Sequence, residues 1–173
     1  MRTLISTARA VVVALSLGVA LTSGACAPLT TIGFDELAPG AQVSNQYQMQ
    51  GVEFFRVLPE VAARGDAPSP GNVASLRSPP YDFTFPSLWV RLSKPARKLA
   101  MRLATTSRIP VEVRLTARDA AGGELTYTKR TINSESGYVP IEVQHFIAAI
   151  ASFDLIAPPY STLFVDDIAI LVP

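Results

Sequence analysis

In the stretch "VEVRLTAR", Val111, Val113, Leu115 and Ala117 alternate with Glu112, Arg114, Thr116 and Arg118, so one face of the segment is apolar and the other polar. The same phase recurs in "SLWVRL", which sets Leu88, Val90 and Leu92 inward, and in "KLAMRL", which does so with Leu99, Met101 and Leu103. "DAAGGE" supplies turn chemistry through Gly122 and Gly123, and "LTYTKR" returns with Leu125 and Tyr127 in phase, which predicts a hairpin. Further strands are predicted in "GVEFFRV", "NVASL", "YDFTF", "YVPIEV", "IASFDLI" and "LFVDDIAILV". About nine or ten short strands punctuated by Pro, Gly, Asn and Ser, without a long helix, predict an all-β fold. The expected architecture is a two-sheet antiparallel β-sandwich of jelly-roll type. "HFIAAIASF" is the one stretch where a helical turn competes. Residues 59–80 hold 5 prolines and 2 glycines and read as a long surface loop with a short strand at residues 72–76.

The first 25 residues have a different character. Arg2 and Arg9 flank the start, residues 10–21 form an apolar run, and Ser23, Gly24 and Ala25 follow. That is the layout of a secretory signal, and the run is too short for the ~20 residues of a membrane span. The expected division is therefore a signal peptide at 1–25, a short linker at 26–30 and one β-sandwich domain at 31–173. Export to the periplasm, the cell surface or the medium follows. The single cysteine, Cys26, directly follows the small residues. Its position resembles the lipobox of bacterial lipoproteins, which implies a lipid anchor on Cys26, although Ser23 stands where that family prefers leucine. Ordinary cleavage after Ala25 is the other reading. On either, the domain has no disulfide and no thiol chemistry.

Without Arg2 and Arg9 the chain carries 13 basic and 14 acidic residues. A near-neutral balance without a basic run argues against nucleic acid as a partner, and against the membrane except through the anchor.

Two acids interrupt apolar faces. On an extended strand Ile32, Phe34 and Glu36 share one side, and Phe164, Asp166, Ile168 and Ile170 share another. A half-buried carboxylate is costly unless it is neutralised or hydrogen-bonded. If the first and last strands are antiparallel neighbours, Glu36 and Asp166 converge, where two anions repel unless a cation lies between them or one carries a proton. Calcium suits an irregular set of carboxylates, carbonyls and water. Asp35 and Asp167 point the other way by phase and join only where the backbone bulges. The alternative is that each acid pairs with an arginine or with backbone N–H groups.

The opening "FDELAPGAQVSNQYQMQGVEF" resembles the N-terminal signature of a family of bacterial secreted β-sandwich domains. Its members run from a Phe-acid-acid-Leu start through a Pro-Gly turn to a "VSNQY" segment. "IASFDLIAPPYSTLFVDDIAI" resembles their closing pair of strands, with Asp-Asp-Ile on the last, and "VRLTARDAAGG" is similar to their central hairpin. The resemblance spans most of residues 31–171. These domains resemble galactose-binding-like jelly rolls and calcium-stabilised carbohydrate-binding modules. The resemblance implies a structural calcium held by an acid of the first strand and an aspartate of the last, roles that fall on Glu36 and Asp166.

Catalytic chemistry is poorly supplied. His145 is the only histidine, no serine sits in a Gly-x-Ser-x-Gly elbow, and Asp82, Glu112, Glu124 and Glu135 offer no distinguishable pair for glycoside hydrolysis. A non-enzymatic protein is expected. Sugar binding needs exposed aromatic faces with polar groups beside them. The phase that buries Leu88, Val90 and Leu92 turns Trp89 outward beside Arg91, and Tyr81, Tyr138 and Tyr160 adjoin loops. The leading expectation is a binding module for a glycan or another cell-surface component. A structural or adhesion protein without a small ligand, and more weakly a glycoside hydrolase, are the alternatives.

Overall fold

The computed structural model describes residues 29–55, 59–68, 71–77, 85–147 and 149–173. The leader, Cys26, Tyr81 and nearly all of "YDFTF" lie outside the described residues. Eleven strands follow in chain order: β1 Leu29–Ile32, β2 Val52–Phe54, β3 Glu60–Arg64, β4 Gly71–Arg77, β5 Ser87–Ala96, β6 Lys98–Thr105, β7 Val111–Arg118, β8 Glu124–Ile132, β9 Val139–Gln144, β10 Ile150–Ile156 and β11 Thr162–Leu171. The helical content of the described residues is one 3-10 turn, Gln48–Gln50.

The strands form two antiparallel sheets. One has the order β3-β4-β11-β6-β9, with β1 added beside β11; the other has the order β2-β5-β10-β7-β8. Between β4 and β11 the chain changes sheet at almost every connection, the wrapping of a jelly roll. The inward faces meet in one core: Leu88, Val90, Leu115, Phe153 and Leu155 from the five-stranded sheet pack against Leu99, Leu103, Ile141, Leu163 and Val165 from the six-stranded one. Phe34, Tyr47 and Phe54 close one side as an aromatic cluster with ring centroids 5.8–6.3 Å apart. The Tyr47 hydroxyl donates to the Gly33 carbonyl at 2.6 Å, so the "VSNQY" tyrosine ties its loop to the end of β1. Burial, with Glu36 and Asp35 nearby, pushes that phenol above its ordinary range.

The first and last strands lie side by side, with Ile32 opposite Ile168. The phase drawn for their acids is nevertheless wrong at both ends. The strand stops at Ile32, and the chain turns with the Leu37 N–H bonded to the Phe34 carbonyl, which leaves Glu36 exposed rather than inward. On β11 the register to β6 shifts between Asp166, opposite Arg102, and Ala169, opposite Ala100. One residue is extra, and Asp167 takes a φ of +50°. This β-bulge reverses the faces, so that Leu163, Val165, Ile168 and Ile170 enter the core while Phe164 and Asp166 lie on the outer side.

A second bulge acts on β8. Thr126 lies opposite Ala117, but Glu124 lies opposite Arg118, so Leu125 is the extra residue. Leu125 packs against the core, and Tyr127 turns outward instead of sharing its phase. The long loop expected at residues 59–80 is also corrected: it contains the β3–β4 hairpin, and β4 is an interior strand between β3 and β11. The described prolines of the stretch, Pro59 and Pro68, fall outside the two strands, where they remove no ladder hydrogen bond.

The bulge at Asp167 sets a test. A left-handed backbone costs a β-branched side chain more than it costs Asp or Gly. Asp167→Val is expected to lower stability by about 1–2 kcal/mol more than Asp167→Gly does, measured by chemical denaturation. Equal losses would mean that the positive φ does not constrain this position.

Candidate functional site

The outer face of the five-stranded sheet carries its chemistry in two rows set by register. Glu53, Arg91, Ser152 and Arg118 stand in one row across β2, β5, β10 and β7. Trp89, Asp154, Thr116 and Tyr127 stand in the next, across β5, β10, β7 and β8. Phe55 extends the second row, its N–H donating to the Trp89 carbonyl at 3.0 Å. A cleft of about 580 Å³ opens over this face. It is lined by Phe55, Trp89, Arg91, Arg118, Ser152 and the β7–β8 turn at 119–122.

The aromatic wall has two planes. Phe55 and Trp89 lie 6.3 Å apart at 59°, with the Arg91 guanidinium 5.0 Å from the Phe55 centroid and that of Arg118 5.8 Å from the Trp89 centroid. Beneath them Asp154 is 1% exposed, and its Oδ1 accepts from Arg118 Nε at 2.5 Å. Arg118 Nη1 donates to the Gly122 carbonyl at 3.3 Å, in a turn where Gly122 has a φ of +85° that other residues avoid. The arginine is thus fixed from below and from the side. Asp154 Oδ2 is buried without a hydrogen-bond partner among the described residues, as is Arg114 Nε on the same face. Such groups are costly to leave unmade, so this face carries polar groups that its own packing does not require.

The sequence-predicted aromatic residues do not form one platform. Trp89 lines the cleft. Tyr138 lies on the opposite side of the molecule, against Val73, Ala104 and Phe164 of the six-stranded sheet, with Arg64 5.9 Å from its centroid. Burial pushes the Tyr138 phenol up to about 12. Tyr160 is 61% exposed, with a φ of 63°, in the connection from β10 to β11. Tyr81 lies outside the described residues. Phe55 was the residue missed, and its signal was present: in "VEFF" adjacent phenylalanines on a strand must take opposite faces. Tyr127 was hidden by the bulge at Leu125.

The acids gather differently from their strand phase. β4 lies beside β11 up to Val165, and β1 lies beside it from Ile168. Asp166 and Asp167 therefore occupy the break where one neighbour replaces the other. Asp35, on the turn after β1, reaches the same break: its Oδ1 accepts the Asn72 N–H at 2.9 Å, and a Cβ placed on Gly71 would lie 3.0 Å from that oxygen. Asp167 Oδ2 is 3.8 Å from Arg102 Nε, while Asp166 is fully buried and accepts the Asp167 N–H at 2.9 Å. The oxygen donors are of the kind calcium takes. Among the described residues, however, no three Asp, Glu, His or Cys side chains are arranged to hold a metal ion.

Of the carboxylates considered for hydrolysis, Glu112 pairs with Lys129 at 2.8 Å and Glu124 with Arg114 at 2.6 Å. Asp82 lies outside the described residues.

No family model matches the chain, and no curated protein matches it. Solved structures do. The xylan-binding CBM22-1 domain of Paenibacillus barcinonensis Xyn10C is similar at a TM-score of 0.51 and 13% identity, over 85% of this chain and 96% of that one. A point variant of the family 29 carbohydrate binding module CBM29-2 gives a TM-score of 0.54 at 9% identity, over 83% and 91%. An arabinose-bound GH51 α-L-arabinofuranosidase gives 0.52 at 12% identity, over 82% of this chain but 25% of that one. At these identities the likeness is one of fold: the chain has the β-sandwich fold of carbohydrate-binding modules.

Proposed function

We propose that the protein is an exported, non-catalytic glycan-binding module whose ligand lies along the outer face of the five-stranded sheet. The observation that supports this best is the cleft in which Trp89 and Phe55 stand beside Arg91, Arg118 and Ser152. Sugar rings present C–H faces that pack on aromatic planes, while their hydroxyls need fixed donors and acceptors nearby. The Arg118–Asp154 pair provides such fixed groups at little further loss of side-chain freedom on binding. Two structures of like fold are named as xylan-binding and carbohydrate binding modules, which favours the same ligand class here. The signal layout of residues 1–25 supports export, and Cys26 is the residue that would carry a lipid anchor.

Affinity electrophoresis through a panel of polysaccharides, xylan included, tests the reading. Trp89→Ala is expected to weaken retention about tenfold or more, as loss of a stacked ring does. Tyr160→Ala, in the β10–β11 connection and outside the cleft lining, is expected to leave it unchanged. Circular dichroism of each variant separates lost binding from lost fold. Retention that survives Trp89→Ala, or retention by none of the panel, would contradict the proposal.

A structural calcium belongs to this reading as a second proposal. Its ligands would be the carboxylates of Asp35 and Asp167 at the β1–β11 break, completed by backbone carbonyls and water. Adding EDTA is then expected to lower the melting midpoint by several degrees. An unchanged midpoint would remove the ion and leave these acids as strand-end residues.

A further inference from the structure

We infer that the glycan taken by this cleft is acidic, and that Arg91 and Arg118 clasp a uronic acid carboxylate between them; the inference rests on the binding face proposed above. Register places Arg91, Ser152 and Arg118 in one row on three neighbouring strands of the same face. Strand spacing then sets the two arginine Cα atoms about 10 Å apart, with a serine hydroxyl midway. Side chains of that length can both reach over the serine once Arg91 swings off Phe55, and a guanidinium fork matches the plane of a carboxylate.

Of the acids near this row, one is bound to its own turn and two pair with the arginines, neither using the whole of a guanidinium. Asp154 is buried under Arg118 and spends Oδ1 on its Nε. Asp119 folds back on its own turn, its Oδ1 accepting the Gly123 N–H at 2.7 Å. Glu53 meets Arg91 through a single Nη1 contact of 3.3 Å between side chains that are 42% and 62% exposed, a pair that holds Arg91 weakly. Arg118 uses Nε on Asp154 and Nη1 on Gly122, which leaves its Nη2 edge for a ligand. Arg118 is thus the fixed half of the clasp. Arg91, lying over Phe55, is the half that moves.

The test compares polygalacturonate, alginate and glucuronoxylan, each with its own carboxyl-reduced, neutral form. At least one acidic polymer is expected to bind about ten- to a hundredfold more tightly than its reduced form, the range of a charge-assisted hydrogen bond. That preference is expected to shrink with added salt. Arg91→Ala should erase the preference, weakening the acidic form far more than the neutral one, and Arg91→Lys should keep part of it. Equal affinity for acidic and reduced forms, or equal weakening of both by Arg91→Ala, would overturn the inference while the Trp89 result continues to support a neutral-glycan site. Binding of neither form would overturn both readings.

Discussion

Side chains on a strand alternate between its two faces, and in a sandwich one face of each sheet is sealed against the other, so a single extra residue exchanges core for surface along all that follows. Two such insertions organise this molecule. On β11 the extra residue at Asp166–Asp167 lets Leu163 and Val165 enter the core before it and Ile168 and Ile170 after it. It also marks the point where β1 takes over from β4 as the neighbour of β11. On β8 the extra Leu125 keeps an apolar side chain on the core while Tyr127 turns to the face that carries Trp89.

Most of the fold was legible because the strong alternations were long enough to be unambiguous. "IASFDLI" coincides with β10, "VEVRLTAR" with β7, and the glycine turn between β7 and β8 lies where its residues placed it. The pairing of first and last strands, the premise on which their acids were brought together, is present, with Ile32 opposite Ile168. The bulges were not legible, because a bulge adds one residue without changing composition: Asp167 tolerates the left-handed backbone, and nothing in "VDDIAI" says which aspartate is extra. The proline-rich stretch misled for a related reason. The sequences of β3 and β4 themselves contain no proline, which leaves their short interiors free to pair.

The same alternation explains how much of the site could be read. Trp89 followed from the phase of β5, and the arginines Arg91 and Arg118 from the polar faces of their own strands. Their association could not be read, since it depends on the order β2-β5-β10-β7-β8, which sets β10 between strands remote in sequence. Asp154 shows the consequence. Within "SFDLI" it is an ordinary outward polar residue; in the sheet it is a buried carboxylate between Trp89 and Thr116 whose charge is met by Arg118. Breaking such a pair typically costs about 3–5 kcal/mol, whereas well-packed apolar replacements are often neutral or better. Its presence here is accounted for by the donors it holds in place above the sheet.

Trp89 is the only tryptophan in the chain, so its emission reports on this face alone. Titration of the protein with a retained polysaccharide, followed by tryptophan fluorescence and by acrylamide quenching, tests the assignment of the face most directly. The account predicts a saturable change in emission and reduced quenching, both following the binding isotherm. Saturated binding with emission and quenching unchanged would place the ligand elsewhere on the molecule.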